Sequence, residues 1–451
     1  MAYLKRLSSF FAEKFSSAQV LLTGYIVFIM LGSGLFMLPI SSAEGVGLSL
    51  VDAIFTATSS ISGTGLIVVD TGSYFSGFGQ AVVALLIQIG NIGYMLFFAL
   101  AVVFLGKKLS MVNKIIIKES ISTAQLNLDL FIIKVFKYTL IIEGVAAVLL
   151  TLIFLQDFPF PEALWLGVFH SISSFCTAGF SLFPDSLIRY NDNVPFVFII
   201  IITSYLGCCG FYVLHDVSLR LKYFFRLKDR YRLSVHSKVV LVISFSMIAI
   251  GTVVLFLVEN IKQGPGKETL LTAFFQAAAA ATTVGYNNMD IAGYSDPSLH
   301  AIIVLMFIGA APSGTGGGIK MTVFAIMLIA LYTFLNDRKH VHLFKRSIHP
   351  RRVARAFSIM LMAIVWNFFA IFALSITEDL PALFILFESV SALGNGGMSA
   401  GITDDLSWAG KVVLTASMLI GRVGPLIVGY TLLRNRNKAD FQYPVGDVLI
   451  V

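Results

Sequence analysis

Glycine recurs at Gly65, Gly179, Gly285 and Gly397, at near-equal intervals of 114, 106 and 112 residues (65 to 179, 179 to 285, 285 to 397). Each stands before a larger apolar or aromatic residue, in Ser62-Gly63-Thr64-Gly65-Leu66, Cys176-Thr177-Ala178-Gly179-Phe180, Thr283-Val284-Gly285-Tyr286 and Asn395-Gly396-Gly397-Met398. These stretches hold no acid, so the chemistry they offer belongs to the main chain. Backbone carbonyls can replace an ion's water shell, provided about four strands surround one axis. Glycine permits φ > 0 and close backbone approach. Without a carboxylate, the desolvation of an ion must be offset by carbonyl dipoles, which suits a monovalent cation better than calcium.

Such strands need a frame that sets them at one depth. The chain has 451 residues, 57% hydrophobic and 13% charged, with mean hydropathy +0.86. Soluble domains carry about 25% charged residues, so this is the composition of an integral membrane protein without a sizeable soluble domain. Cys176, Cys208 and Cys209 lie in apolar stretches with neither metal-ligand spacing nor a disulfide framework, and read as packing residues. The basic, amphipathic N-terminus lacks the pattern of a cleaved signal peptide. Spans of about 20 apolar residues are expected at 18–40, 78–105, 131–156, 195–219, 238–260, 299–333, 353–377 and 409–433. Eight crossings put both termini on one side. Lys107, Lys108, Lys114 and Lys118, the clusters at 220–238 and 338–355, and Arg434, Arg436 and Lys438 mark that side as cytoplasmic. The net charge of +7 is thus first an orientation signal, then a surface for lipid head groups or a cytosolic partner, and no nucleic-acid footprint.

Between paired spans lie shorter apolar segments at 51–62, 161–175, 267–281 and 380–393. As helices they are about 18–22 Å long, too short for a hydrocarbon layer of about 30 Å. Each is either a surface helix or a helix that enters from outside and turns back. The recurring order of span, short helix, glycine and span is an internal repeat, and it favours the second reading. The repeats are expected at 18–105, 131–219, 238–333 and 353–433, with a cytoplasmic tail over 434–451. Two crossings per copy make the copies parallel, whereas inverted repeats need an odd number. The expected fold is an all-α polytopic membrane protein, with four parallel span–pore helix–span repeats around one central pore and eight full spans. Each short helix aims its partly negative C-terminus at that pore.

The sixth span contains Ala311-Pro312-Ser313-Gly314-Thr315-Gly316-Gly317-Gly318, which cannot sustain a straight helix. The phosphate-binding pattern GxxxxGK(S/T) is not matched, which leaves an intramembrane loop or a kink. Lys320 and Arg422 lie within or beside spans, where a basic residue faces a cavity or a partner. For Arg422 the residue itself suggests an ion pair with Glu143 or Glu388; for Lys320 the alternatives are gating and snorkelling. Glu388 and His170, on short helices, read as hydrogen-bonding groups of helix packing. His340, His342 and His349 read as solvated residues of a basic loop. No HExxH and no Ser/His/Asp set points to an enzyme.

Four segments carry a resemblance over the whole chain: HSISSFCTAGFSLFPDSL (170–187), MFIGAAPSGTGGGIK (306–320), GRVGPL (421–426) and YPVGDVLI (443–450). The chain resembles the Trk/Ktr/HKT superfamily of potassium transporters, and most of all the membrane subunit of the Ktr potassium-uptake system. Residues 283–286 also spell TVGY, the letters of the potassium-channel filter. The resemblance implies potassium uptake through a filter built on Gly65, Gly179, Gly285 and Gly397, with K+ at the backbone carbonyls of Thr64, Ala178, Val284 and Gly396. It implies a gate of Gly314, Thr315, Gly316, Gly317, Gly318, Lys320 and Arg422. It also implies a homodimer with one pore per protomer, a cytosolic ring of RCK-type nucleotide-binding subunits, and Na+ as an activator. No covalent cofactor is implied. The stretch Gly394-Asn395-Gly396-Gly397 is richer in glycine than the family pattern and implies a looser fourth quadrant. The alternative function is a sodium- or proton-coupled symporter with an occluded site. Its cue would be an intramembrane acid pair, and only isolated candidates such as Glu143 and Glu388 are present.

Overall fold

The computed structural model describes residues 17–94, 96–97, 99–100, 128–225, 231–264, 266 and 269–424. The basic residues expected at 107–118, 226–230 and 434–438, Lys267, and the tail over 434–451 lie outside the described residues. A first unit comprises helices α1 (Ser17–Phe36), α2 (Leu50–Ser62) and α3 (Gly77–Ile92). A second comprises α4 (Leu128–Phe154), α5 (Phe160–Phe175), α6 (Val194–Cys208) and α7 (Phe211–Phe225). A third comprises α8 (Val235–Lys262), α9 (Leu270–Thr282), α10 (Asp296–Phe307) and α11 (Met321–Leu335). The fourth comprises α12 (Pro350–Thr377), α13 (Ala382–Gly394) and α14 (Trp408–Val423). Side chains of Ser49, Ser76, Asn193, Ser234, Thr269 and Ser407 fix the starts of α2, α3, α6, α8, α9 and α14, each accepting a first-turn backbone N–H.

The four short helices α2, α5, α9 and α13 form the interior. Within each unit the long first helix packs on the short one. The second helix packs on the short helix of its own unit and on that of the next: α3 on α2 and α5, α6 on α5 and α9, α10 on α9 and α13, α14 on α13 and α2. The last contact brings the fourth unit against the first, so the four units close into a ring. The polar side chains of the short helices are hidden inside, and the long helices present apolar residues outward. Leu140 and Phe368 are 69% and 65% exposed. An apolar belt of this kind is a poor surface in water and a fitting one in hydrocarbon.

The break expected in the sixth span is present, and the other second spans carry breaks as well. Among the described residues, α1, α4, α8 and α12 are each long and apolar enough to cross a membrane alone, and α6 with α7 passes only as a pair bent by 104°. The second helix of every unit ends after a similar length, 16 residues in α3, 15 in α6, 12 in α10 and 16 in α14. Gly93 ends α3 at φ +99°, Gly210 separates α6 from α7 at φ +86°, and Gly424 ends α14 at φ +98°. A left-handed residue cannot continue a right-handed helix. In the third unit the break is a whole loop between β1 (Ile308–Gly309) and β2 (Ile319–Lys320), which pair in parallel with Ile308 opposite Ile319 and Gly309 opposite Lys320. A small hairpin of β3 (His342–Leu343) and β4 (Arg346–Ser347) joins α11 to α12. His340, His342 and His349 are exposed there, as expected.

Candidate ion-conduction site

Each short helix ends in the same way. The residue after the last turn adopts the left-handed conformation: Gly63 (φ 66°), Thr177 (φ 50°), Thr283 (φ 57°) and Asn395 (φ 50°). The next amide turns back to the carbonyl five residues earlier, Thr64 to Ser59 at 2.9 Å, Ala178 to Ser173 at 2.8 Å, Val284 to Ala279 at 3.1 Å and Gly396 to Ser391 at 2.8 Å. This is the bond of a Schellman cap. The following residue is positive again, with Gly65 at φ 92°, Gly179 at 68°, Gly285 at 84° and Gly397 at 73°. Sign alternation over three residues is rare outside glycine, and here it occurs four times. The cap consumes the amide of the middle residue and leaves its carbonyl outside the helix.

The glycines and carbonyls then interlock across unit boundaries. A Cβ built on Gly65 would strike the carbonyl oxygen of Ala178, and one on Gly179 that of Val284. One on Gly285 would strike that of Gly396, and one on Gly397 that of Thr64. The pairing runs from unit one to two, three, four and back to one. It is a closed ring of backbone, and all eight residues expected for a filter lie in it. Ser59 and Ser173 tie the residues after the first two glycines to their short helices, donating to the carbonyls of Leu66 at 2.7 Å and Phe180 at 2.8 Å. The looseness expected of the fourth strand is not found. Asn395 is buried, and its Nδ2 donates to Thr64 Oγ1 at 2.7 Å and to the Met418 carbonyl at 2.9 Å. The side chain restrains what the neighbouring glycines leave free.

Residues 311–318 fold back under this ring. Thr315 N–H donates to the Gly207 carbonyl at 3.1 Å and its Oγ1 to that of Phe175 at 2.9 Å. A Cβ on Gly316 would meet Thr283 Oγ1, and one on Gly317 the Asn395 side chain. Gly314 lies against the Cys208 carbonyl, and Gly318, at φ 72°, lies against that of Gly394. The loop therefore touches the ends of three short helices. Two cations grip it. Arg422 Nη1 donates to the Thr315 carbonyl, and its Nη2 to those of Gly90 at 2.9 Å and Asn91 at 2.8 Å. Lys320 Nζ donates to the Gly316 carbonyl at 2.8 Å. Among the described residues, Arg422 forms no ion pair with Glu143 or Glu388. Glu143 accepts from Gln88 Nε2 at 2.9 Å, and Glu388 from neighbours on its own unit.

One signal lies outside the sequence reading. Gly90-Asn91-Ile92-Gly93, Gly207-Cys208-Cys209-Gly210, Gly309-Ala310-Ala311-Pro312 and Gly421-Arg422-Val423-Gly424 are one recurring pattern in the second helices. Its first glycine lies against the carbonyl of Ile61, Phe175 and Leu393 in units one, two and four, and in those units its last glycine marks the end of the helix. Aligning the units on this pattern sets Arg422 in the place of Asn91, the residue whose carbonyl it binds.

The family model for TrkH, described as a cation transport protein, matches residues 19–438. The chain belongs to this family. It is a family of membrane ion transporters, not of enzymes. Ktr system potassium uptake protein B of Bacillus subtilis is 35% identical over 96% of this chain and 97% of its own. Potassium/sodium uptake protein NtpJ of Enterococcus hirae is 32% identical over 97% of this chain and 98% of its own. The crystal structure of the potassium transporter TrkH from Vibrio parahaemolyticus superposes with a TM-score of 0.73 at 19% identity, covering 93% of this chain and 86% of that one. It has the same fold.

Proposed function

We propose that this family member is the conducting subunit of a potassium-uptake system in the cytoplasmic membrane. Potassium passes through a single filter formed by the four repeats, held by the carbonyls of Thr64, Ala178, Val284 and Gly396, with Gly65, Gly179, Gly285 and Gly397 providing the backbone turn. The observation that carries this reading is the closed ring of glycine–carbonyl neighbours. The filter lies in four repeats, 18–105, 131–219, 238–333 and 353–433. Gly314 to Gly318, with Lys320 and Arg422, form a gate beneath it. The cation grip on three consecutive loop carbonyls supports that role, since it gives the loop a held state from which it can be released. Basic clusters set both termini in the cytoplasm. Relatives named as parts of a Ktr system support a separate controlling component, which we take to be a cytosolic RCK-type nucleotide-binding ring on a homodimer. The potassium/sodium name of one relative supports Na+ as an activator or companion ion.

The test is rubidium uptake into liposomes holding the purified chain, with and without its regulator, under sodium competition. Uptake that rubidium or potassium saturates and sodium blocks poorly is expected. Impermeability in the presence of the regulator overturns the proposal. Strict coupling of each rubidium to a sodium ion or proton would replace it with a symporter.

A further inference from the structure

The position nine residues before each filter glycine is polar and buried in all four units: Thr56, His170, Gln276 and Glu388 (56 to 65, 170 to 179, 276 to 285, 388 to 397). In the second and fourth units, which face each other across the ring, the two titratable side chains make the same connection. His170 Nδ1 lies 2.9 Å from the Leu166 carbonyl, which assigns its proton to that nitrogen and leaves Nε2 as acceptor. The Leu182 amide donates to Nε2 at 3.4 Å, and Ser181 Oγ, which donates to the Ser186 carbonyl at 3.0 Å, lies 3.2 Å from it. Glu388 Oε1 accepts from Ser399 Oγ and, at 3.1 Å, from the Ala400 amide. Ser181 and Ser399 stand two residues past their filter glycine, and Leu182 and Ala400 three past it. Thr403 Oγ1 adds a bond to Glu388 Oε2 at 3.1 Å. The other two units lack the connection. Thr56 Oγ1 is buried without a hydrogen bond, and Gln276 Nε2 reaches Met398 Sδ of the next unit at 3.1 Å.

We infer that His170 and Glu388 are positioning residues which hold the far ends of filter strands two and four and so set the discrimination between potassium and sodium. The inference rests on the filter reading above. An irregular strand has no ladder of its own to keep it in place, so a buried acceptor on the short helix fixes the carbonyls that precede it. Removing the acceptor strands the Leu182 amide in unit two, and the Ala400 amide with the Ser399 hydroxyl in unit four, at a cost typical of buried polar groups, and the strand shifts to recover them. Filter selectivity depends on the number and spacing of carbonyls around the ion, so the shift is read as lost discrimination. Anchoring two opposed quadrants makes the stiffness of the ring twofold, within a fourfold arrangement of backbone.

The experiment compares rubidium uptake under sodium competition for the full chain in liposomes. His170→Ala and Glu388→Ala are each expected to lower selectivity about tenfold, the scale of one buried hydrogen bond to a charged or aromatic acceptor. Glu388→Gln keeps an acceptor oxygen and should recover most of the loss. Thr56→Val, at the equivalent but unconnected position, should retain wild-type selectivity. If the alanine variants are not monodisperse, Ser399→Ala removes a donor to Glu388 and must lower selectivity in the same direction. A selective wild type with unaltered His170→Ala, Glu388→Ala or Ser399→Ala overturns this inference alone. A wild type that passes no rubidium overturns the filter reading and this inference with it.

Discussion

At the scale of single residues, the four filter glycines are required twice over. They hold a left-handed backbone, which costs any other residue about 1–2 kcal/mol, and they leave no room for a side chain. Gly285→Ser brings both penalties. Its Cβ would lie 2.6 Å from the Gly396 carbonyl oxygen and 2.9 Å from the Gly397 Cα, so the backbone of unit four must give way. Under the proposed function, sodium competition for rubidium uptake should rise about tenfold, the factor that 1.4 kcal/mol represents. Uptake that stays as selective as wild type would remove Gly285 from the filter. These glycines were legible in the sequence because spacing and neighbours marked them. Asn395 was not, because a lone polar residue between glycines gives no sign of the Thr64 hydroxyl and Met418 carbonyl that its amide joins.

At the scale of elements, the short helices fell within a few residues of their expected places, since their length and the glycine after them are both local signals. The breaks in the second helices were legible only in unit three, where proline and four glycines crowd together. Elsewhere an apolar run hides them. Hydropathy reports burial in lipid and says nothing about φ, and glycine alone is ambiguous: Gly32 lies inside the unbroken α1, where a Cβ would meet Leu86. Comparing units would have separated the two uses. The loop in unit three is held by hydrogen bonds from charged donors, each worth about 1.5–3 kcal/mol. Arg422→Gln removes the bonds to the Thr315, Gly90 and Asn91 carbonyls and should raise regulator-free rubidium flux at least about tenfold. Deleting 313–317 should raise it further. A deletion variant with wild-type flux would show that the loop does not limit conduction.

At the scale of the whole molecule, parity and repetition already implied a parallel ring, but they left its closure open. Units one to four are joined in order by the chain, so three of the four seams are covalently tethered. The seam between unit four and unit one depends on contacts alone. It holds Arg422 on Gly90 and Asn91, Asn395 on Thr64, and an ion pair of Lys411 with Asp52 at 2.9 Å, its side chains 14% and 26% exposed. Asp52 stands in the first turn of α2, where an acid also meets the positive end of the helix dipole. Lys411 lies in the first turn of α14, where a cation is otherwise disfavoured, so the pair offsets a local cost in joining the fourth unit to the first. Exposed pairs contribute little, about 0.2–1 kcal/mol, and this one is half-sheltered, so a coupling near the top of that range is expected. A double-mutant cycle of Lys411→Met and Asp52→Asn, read by thermal unfolding in detergent, isolates it. The two single variants should each lower the midpoint and the double variant should lower it by less than their sum. Strictly additive losses would mean that the seam is closed by the Arg422 and Asn395 hydrogen bonds, and that the ion pair is incidental to the ring.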